Sequence, residues 1–144
     1  MTATIEQNKA VVRRFNKEII EEGNTQSFQE LVAHTFINHT AAKGIDNGPA
    51  GLIHTFEHIL RPAFSGLKVT IYEQVAEGDK VTTRKTITGI HTGIFMGVPA
   101  THQPVTIHVM DMVTVKDGKY YEHWGVNTMM ALAAELKVLH TAGK

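Results

Sequence analysis

A change of hydrophobic period at Gly66 limits what this chain can fold into. On its N-terminal side, Ile5, Val12, Phe15 and Ile19 recur at helical spacing, with Val11 and Ile20 beside them. Thr4 is placed to cap this helix and Gly23-Asn24 to stop it. Thr25 to Val32 reads as a short second helix with Phe28, Leu31 and Val32 inward. Phe36 to Gly48 reads as a loop. Asn47 or Gly48 caps a third helix with Pro49 in its first turn, where a missing N–H costs little. That helix runs to about Leu60, and Pro62 and Gly66 end it.

Beyond Gly66 the period is two. Leu67, Val69 and Ile71 alternate with polar residues, and Gly78-Asp79 turns the chain. Val81 to Ile90 is rich in β-branched residues, which suit a pleated surface. His91 to Thr101 is a loop punctuated by Gly93, Gly97 and Pro99. Val105 to Val115 is another long strand, Asp117-Gly118 is a hairpin signal, and Tyr120 to Val126 returns. Met129 to Leu139 closes the chain as a helix. Helices gathered before an antiparallel meander define an α+β fold in a single domain spanning residues 1–144. The early helices cover the concave face of the sheet and leave a cavity at its open end.

The bulk properties exclude several functions. Lysine plus arginine number 14, and aspartate plus glutamate also 14, so no net charge marks a nucleic-acid or anionic-membrane partner. The absence of cysteine rules out disulfides and thiolate metal sites. MTATIEQNKAVVRRF lacks the apolar core of a signal peptide, and no apolar run is long enough to span a bilayer. The expectation is a cytoplasmic protein with no membrane and no nucleic-acid partner.

The strand around Asp111 is the most informative segment. Val105, Ile107, Val109, Val113 and Val115 share its face, so one carboxylate stands on an otherwise apolar surface. A carboxylate there is costly unless paired or protonated, and burial raises its pKa towards neutrality. Arg84, mid-strand between threonines, is placed to bind an anionic oxygen or to pair with Asp111. His91 ends its strand, and His123 lies on the last one beside Trp124; either histidine can move a proton near neutral pH. Strand alternation forbids His123 and Trp124 from facing the same side without a bulge. His39 stands in the loop after Phe36-Ile37-Asn38. The Gly93 and Gly97 turns allow Phe95 and Met96 to fold over the cavity. His54-Thr55-Phe56-Glu57-His58 spells an inverted zincin motif, but Leu52, Ile53, Phe56, Ile59 and Leu60 form the apolar arc and put both histidines towards solvent. No metal site is expected.

Four pieces of the C-terminal half resemble the SnoaL-like polyketide cyclase family of the nuclear-transport-factor-2-like superfamily. They are Arg84 in V-x-x-R-x-T, the run Gly89 to Pro99, Asp111 followed by Asp117-Gly118-Lys119, and Glu122-His123-Trp124. The resemblance implies a cone-like α+β barrel, with N-terminal helices packed on a strongly curved, mainly antiparallel sheet. It also implies a homodimer, a pocket for a small hydrophobic molecule, and ring closure by aldol chemistry without a cofactor. Family cyclases carry an acid/base aspartate just after the position of Trp124, where this sequence has Gly125. Where they place a pocket histidine, it has Asp111. The expected catalytic set is therefore Asp111 as base, His91 as the acid for the alkoxide, and His123 or Arg84 on the enolate. Arg84, His39, Phe95, Met96 and Trp124 are the expected substrate contacts. The alternatives are a non-catalytic binder of a small apolar ligand and a dimeric structural or interaction module with a filled core.

Overall fold

The computed structural model describes residues 4–143. Helix α1 (Ile5–Arg14) starts with a capping box, in which Thr4 and Gln7 satisfy each other's backbone N–H groups. It continues into a π-helical stretch, Phe15–Glu21. The wider turn lets Phe15, Asn16, Ile19 and Ile20 all face inward. Gly23 then takes φ +66, a conformation that suits glycine, and ends the helix. Helix α2 (Thr25–Leu31) is capped by the Asn24 side chain.

The chain then differs from the sequence reading. Val32–Asn38 is a strand, β1, where a helix end and a loop were expected. Short β1 lies parallel to the last strand at the sheet edge, and only Val32, Ala33 and Phe36 in it are buried apolar residues. That leaves too little alternation to reveal a strand in the sequence.

Helix α3 (Pro49–Ile53) has Pro49 in its first turn and runs through a π-helical stretch, His54–Leu60, into a final turn, α4 (Arg61–Ala63). It therefore passes Pro62 by one residue. Strands β2 (Phe64–Glu77), β3 (Lys80–His91), β4 (Pro104–Lys116) and β5 (Lys119–Asn127) form the meander, and α5 (Met129–Ala142) closes it. Asp117 and Gly118 both take positive φ, the geometry of a two-residue hairpin turn.

The strand order is β1-β5-β4-β3-β2, and every pairing except β1 with β5 is antiparallel. The sheet curls over the helices with β1 and β2 as its edges, an α+β architecture. Its inner face supplies Val81, Ile87, Val105, Ile107, Val113 and Val115, which pack with Val12, Phe15 and Ile19. Among the described residues no helix is long and apolar enough to cross a membrane.

Candidate functional site

Asp111 lies on the inner face, 7% exposed, at the centre of a cross-strand row. Thr83 of β3 pairs with it on one side and Gly125 of β5 on the other. The next inward position on β3 towards its C-terminus is Lys85, and two residues before Gly125 on β5 is His123. Lys85 Nζ is 3.4 Å from Asp111 Oδ2, and His123 Nε2 is 3.3 Å from the same oxygen.

The helix completes the cluster. Lys85 Nζ donates to Asn16 Oδ1 at 2.6 Å, and Asn16 Nδ2 donates to the Val12 carbonyl at 2.8 Å. At the other end, His123 Nδ1 lies 2.9 Å from Asn38 Oδ1. That amide oxygen also accepts from the Thr40 N–H at 3.2 Å, which fixes its orientation, so it is Nδ1–H of His123 that donates to it. Nε2 is then the nitrogen that can exchange a proton with Asp111. A polar chain thus runs Asn16–Lys85–Asp111–His123–Asn38 through an otherwise apolar interior, from α1 to the end of β1.

Burial pushes the pKa of Asp111 up, but the Lys85 charge and the contact with His123 outweigh it and hold the carboxyl below its ordinary value. The sequence expectation of a raised pKa is corrected on this point. Oδ2 carries both partners. Oδ1 is buried and has no hydrogen-bond partner among the described residues; the Thr83 hydroxyl, across the strand pair, is in the same condition.

Arg84 is not on this face. Adjacent strand residues point to opposite sides, so the buried cation is Lys85 and Arg84 points outward. Arg84 Nε pairs with Glu73 Oε1 at 2.7 Å, and its guanidinium lies 5.0 Å from the centre of the Tyr72 ring. The expected contact of Arg84 with Asp111 is corrected accordingly. Trp124 and His39 also lie on the outer side. Their rings stack at 4.6 Å, and His39 Nε2 reaches Glu122 Oε2 at 3.0 Å. His123 and Trp124 do face opposite ways, as alternation requires.

His91 is distant. Its N–H pairs with Gln103 of the chain entering β4, and Asp111 stands eight residues further on, about 27 Å at strand rise. His91 is fully buried against Phe64, and its Nδ1 accepts from the Thr101 N–H at 3.2 Å. Burial pushes its pKa below the ordinary value. Phe95 is also fully buried, 4.8 Å from the Phe64 ring, whereas Met96 is 52% exposed. Phe95 fills the core at this end and Met96 faces solvent, so neither folds over Asp111. His91 cannot protonate a group bound at Asp111.

Among the described residues two surface grooves stand out, and neither is lined by Asp111 or His123. One, of about 530 Å³, lies on the outer sheet face between Tyr72, Arg84, His108, Met110 and Val126. The other, of about 590 Å³, is formed by residues 37–47 and includes His39. Among the described residues no cluster of three His, Asp or Glu is placed to hold a metal. In the inverted zincin motif, Glu57 is held by Arg61 at 3.1 Å.

The SnoaL-like polyketide cyclase family matches residues 10–136, so this chain belongs to that family. Among solved structures it is similar to IdmH from Streptomyces antibioticus, put forward as a polyketide cyclase. The two are 27% identical, with 90% of this chain and 98% of that one covered and a TM-score of 0.78. It is also similar to AclR from Streptomyces galilaeus, put forward as a hydroxylase, at 26% identity, 92% and 82% coverage and a TM-score of 0.79. TsrD from Streptomyces laurentii shares the fold at 19% identity, 93% and 97% coverage and a TM-score of 0.80. No curated protein matches the sequence.

Proposed function

We propose that this chain is a cofactor-independent acid/base enzyme that enolises a hydrophobic carbonyl compound, with ring closure by aldol addition as the family reaction. The observation that carries this reading is the state of the Asp111 carboxylate. Lys85 and His123 hold it ionised through Oδ2, while Oδ1 keeps a free lone pair. An ionised carboxylate with one uncommitted oxygen can accept a proton, and loosening of its Lys85 and His123 contacts as substrate binds would raise its basicity from the lowered resting value.

In this scheme substrate enters past the partly exposed His123 and Gly125, which move to uncover the buried Oδ1, and Oδ1 then takes a proton from the carbon next to the substrate carbonyl. The C–H electron pair becomes the C=C bond of the enolate, and the charge moves onto the carbonyl oxygen. His123 is the acid, because its Nε2 stands against Asp111 and its side chain is 22% exposed, which links the buried carboxylate to solvent. Arg84 and His91 have no part in these steps.

The test is Asp111→Asn. Turnover of enolisable cyclic ketones and aromatic polyketide esters should fall by several orders of magnitude, with ligand binding largely retained. Unchanged turnover in the variant would remove Asp111 from the chemistry.

The outer sheet face is proposed to pair with a second copy of the chain. Tyr72, Met110 and Val126 are at least half exposed on it, and Arg84 and Glu73 put opposite charges side by side. Such a patch can meet its own copy across a two-fold axis.

A further inference from the structure

Asp111 Oδ1 is buried, so anything that reaches it must first displace its cover. Its partly exposed neighbours on β5, His123 and Gly125, are both held by one short segment, Asn38-His39-Thr40, at the end of β1. Asn38 Oδ1 accepts from the His123 Nδ1–H at 2.9 Å, and Thr40 Oγ1 accepts from the Gly125 N–H at 2.9 Å. Between them, the His39 N–H donates to the His123 carbonyl at 2.8 Å. On the outer side the His39 ring lies flat on Trp124, 4.6 Å away and 10° from parallel, and its Nε2 meets Glu122 Oε2 at 3.0 Å. Glu122 is fixed in turn, because its Oε1 accepts from the Thr114 hydroxyl of β4 at 3.0 Å. No residue from 37 to 50 is buried. A segment with so few buried contacts opens locally at low cost, while the paired strands beside it open only with the whole fold.

We propose that Asn38-His39-Thr40 is a latch that closes the way to Asp111, with His39 on Trp124 as its catch. The proposal rests on the acid/base reading above and adds how that site opens. Closed, the latch holds the imidazole of His123 on Asp111 through Asn38 and holds the β5 backbone through Thr40 and the His39 N–H. Lifted, it frees the Nδ1–H, and the ring can turn off Asp111 about its own side-chain bonds. The pairing of β5 with β4 survives that movement, because none of the latch bonds belongs to it. A molecule that takes the vacated place competes with the imidazole and keeps the latch open.

The experiment compares wild type, His39→Ala, Thr40→Val and Thr40→Ser without substrate. Amide hydrogen exchange reads the opening, and diethyl pyrocarbonate labelling reads access to the His123 ring. His39→Ala should speed exchange of the Gly125 and residue-39 N–H groups on the order of tenfold, about the worth of a ring stack with a hydrogen bond. The amides of Thr86 and Ile87, inside β3, should not change. Labelling of His123 should rise by a similar factor relative to that of the exposed His54. Thr40→Val should act in the same direction at Gly125 and His123, and Thr40→Ser should keep the wild-type pattern. Faster exchange throughout β3 as well would mean a general loss of stability and would overturn the latch. Unchanged exchange at Gly125 would overturn it too, as would a freed Gly125 with His123 labelled no faster. If the exchange and labelling pattern holds while Asp111→Asn keeps full turnover, the latch stands and the enolisation reading falls.

Discussion

Lys85 Nζ stands 3.4 Å from Asp111 Oδ2, with both side chains almost wholly withdrawn from water. Each ion compensates the other's desolvation, and Asn16 Oδ1 accepts a hydrogen bond from a further lysine N–H. Removing one partner leaves an unpaired buried charge. Lys85→Met should therefore destabilise the protein by about 3–5 kcal/mol at neutral pH. The double variant Lys85→Met with Asp111→Leu should recover most of that loss, because an apolar pair can replace a buried ion pair at little cost. Urea denaturation of the wild type, Lys85→Met, Asp111→Leu and the double variant checks this. Full additivity of the two changes would mean that the charges do not interact.

Acid should destabilise the fold in two steps. Burial holds the folded pKa of His91 below its ordinary 6.5, so the unfolded chain binds a proton that the folded chain refuses. The stability is complete above that value and declines as pH falls below it, until the folded pKa is passed. Asp111 follows at lower pH. Its folded pKa lies below the ordinary 3.8, so its share is present above that value and is lost as pH falls through the folded one. Urea midpoints measured from about pH 7 down to about pH 3 should show both steps. His91→Asn should remove the upper, and Asp111→Asn should shrink the lower, to which Glu18, Glu21, Asp79 and Glu122 also contribute. Stability that rises on going from pH 7 to 5 would contradict the assignment.

Gly125 keeps His123 on Asp111 by having no side chain. A Cβ there would lie 2.8 Å from His123 Cε1, 3.0 Å from its Nε2 and 3.1 Å from Asp111 Cβ. The imidazole is the movable member of that set, so Gly125→Ala should swing the ring away and leave the sheet intact. Gly125 is not among the glycines with positive φ, so the backbone accepts alanine. The expected result is a folded protein, less stable by about 1–3 kcal/mol, with a shifted His123 ring resonance and a raised Asp111 pKa. Turnover should fall with it. An unchanged His123 resonance in the variant would show that the glycine has no such role.

The sequence made Asp111 legible because a single carboxylate interrupts five apolar residues on one face of a strand. The same argument reaches Lys85. Val81 and Ile87 share its face, and a lone cation stands between them. The arginine beside it in the family-like motif drew attention to the wrong side of the strand. Thr83 gave less signal, since a threonine in a β-branched run is ordinary on either face, and only its missing partner sets it apart. Asn16 and Asn38 could not be read in advance. One depends on the widened turn of the first helix, and the other on a parallel edge strand with three buried apolar residues. The order of helices and long strands was legible from period and turn residues, as was the hairpin at Asp117-Gly118. The Gly125 position makes sense only with the register. It faces Asp111 directly, so the aspartate that the resemblance puts on β5 and the carboxylate found on β4 are cross-strand neighbours.

The outer face gives a prediction that does not depend on the interior. Val126 is 70% exposed, Tyr72 53% and Met110 50%, and they surround the outer groove with Arg84. If a second copy covers this face, the wild-type protein sediments as a dimer at micromolar concentration. Val126→Glu with Met110→Glu should then return it to a monomer, because each copy brings both charges to an apolar contact. Arg84→Ala alone should cost a monomer at most about 1 kcal/mol, since the exposed pair with Glu73 is solvent-screened. A larger loss that shrinks on dilution, as the wild type itself dissociates, would place Arg84 in the dimer contact. Sedimentation of the wild type as a monomer at all concentrations would end the dimer proposal. The interior site would stand regardless, because Thr83, Lys85, Asp111 and His123 all come from one chain and face away from this surface.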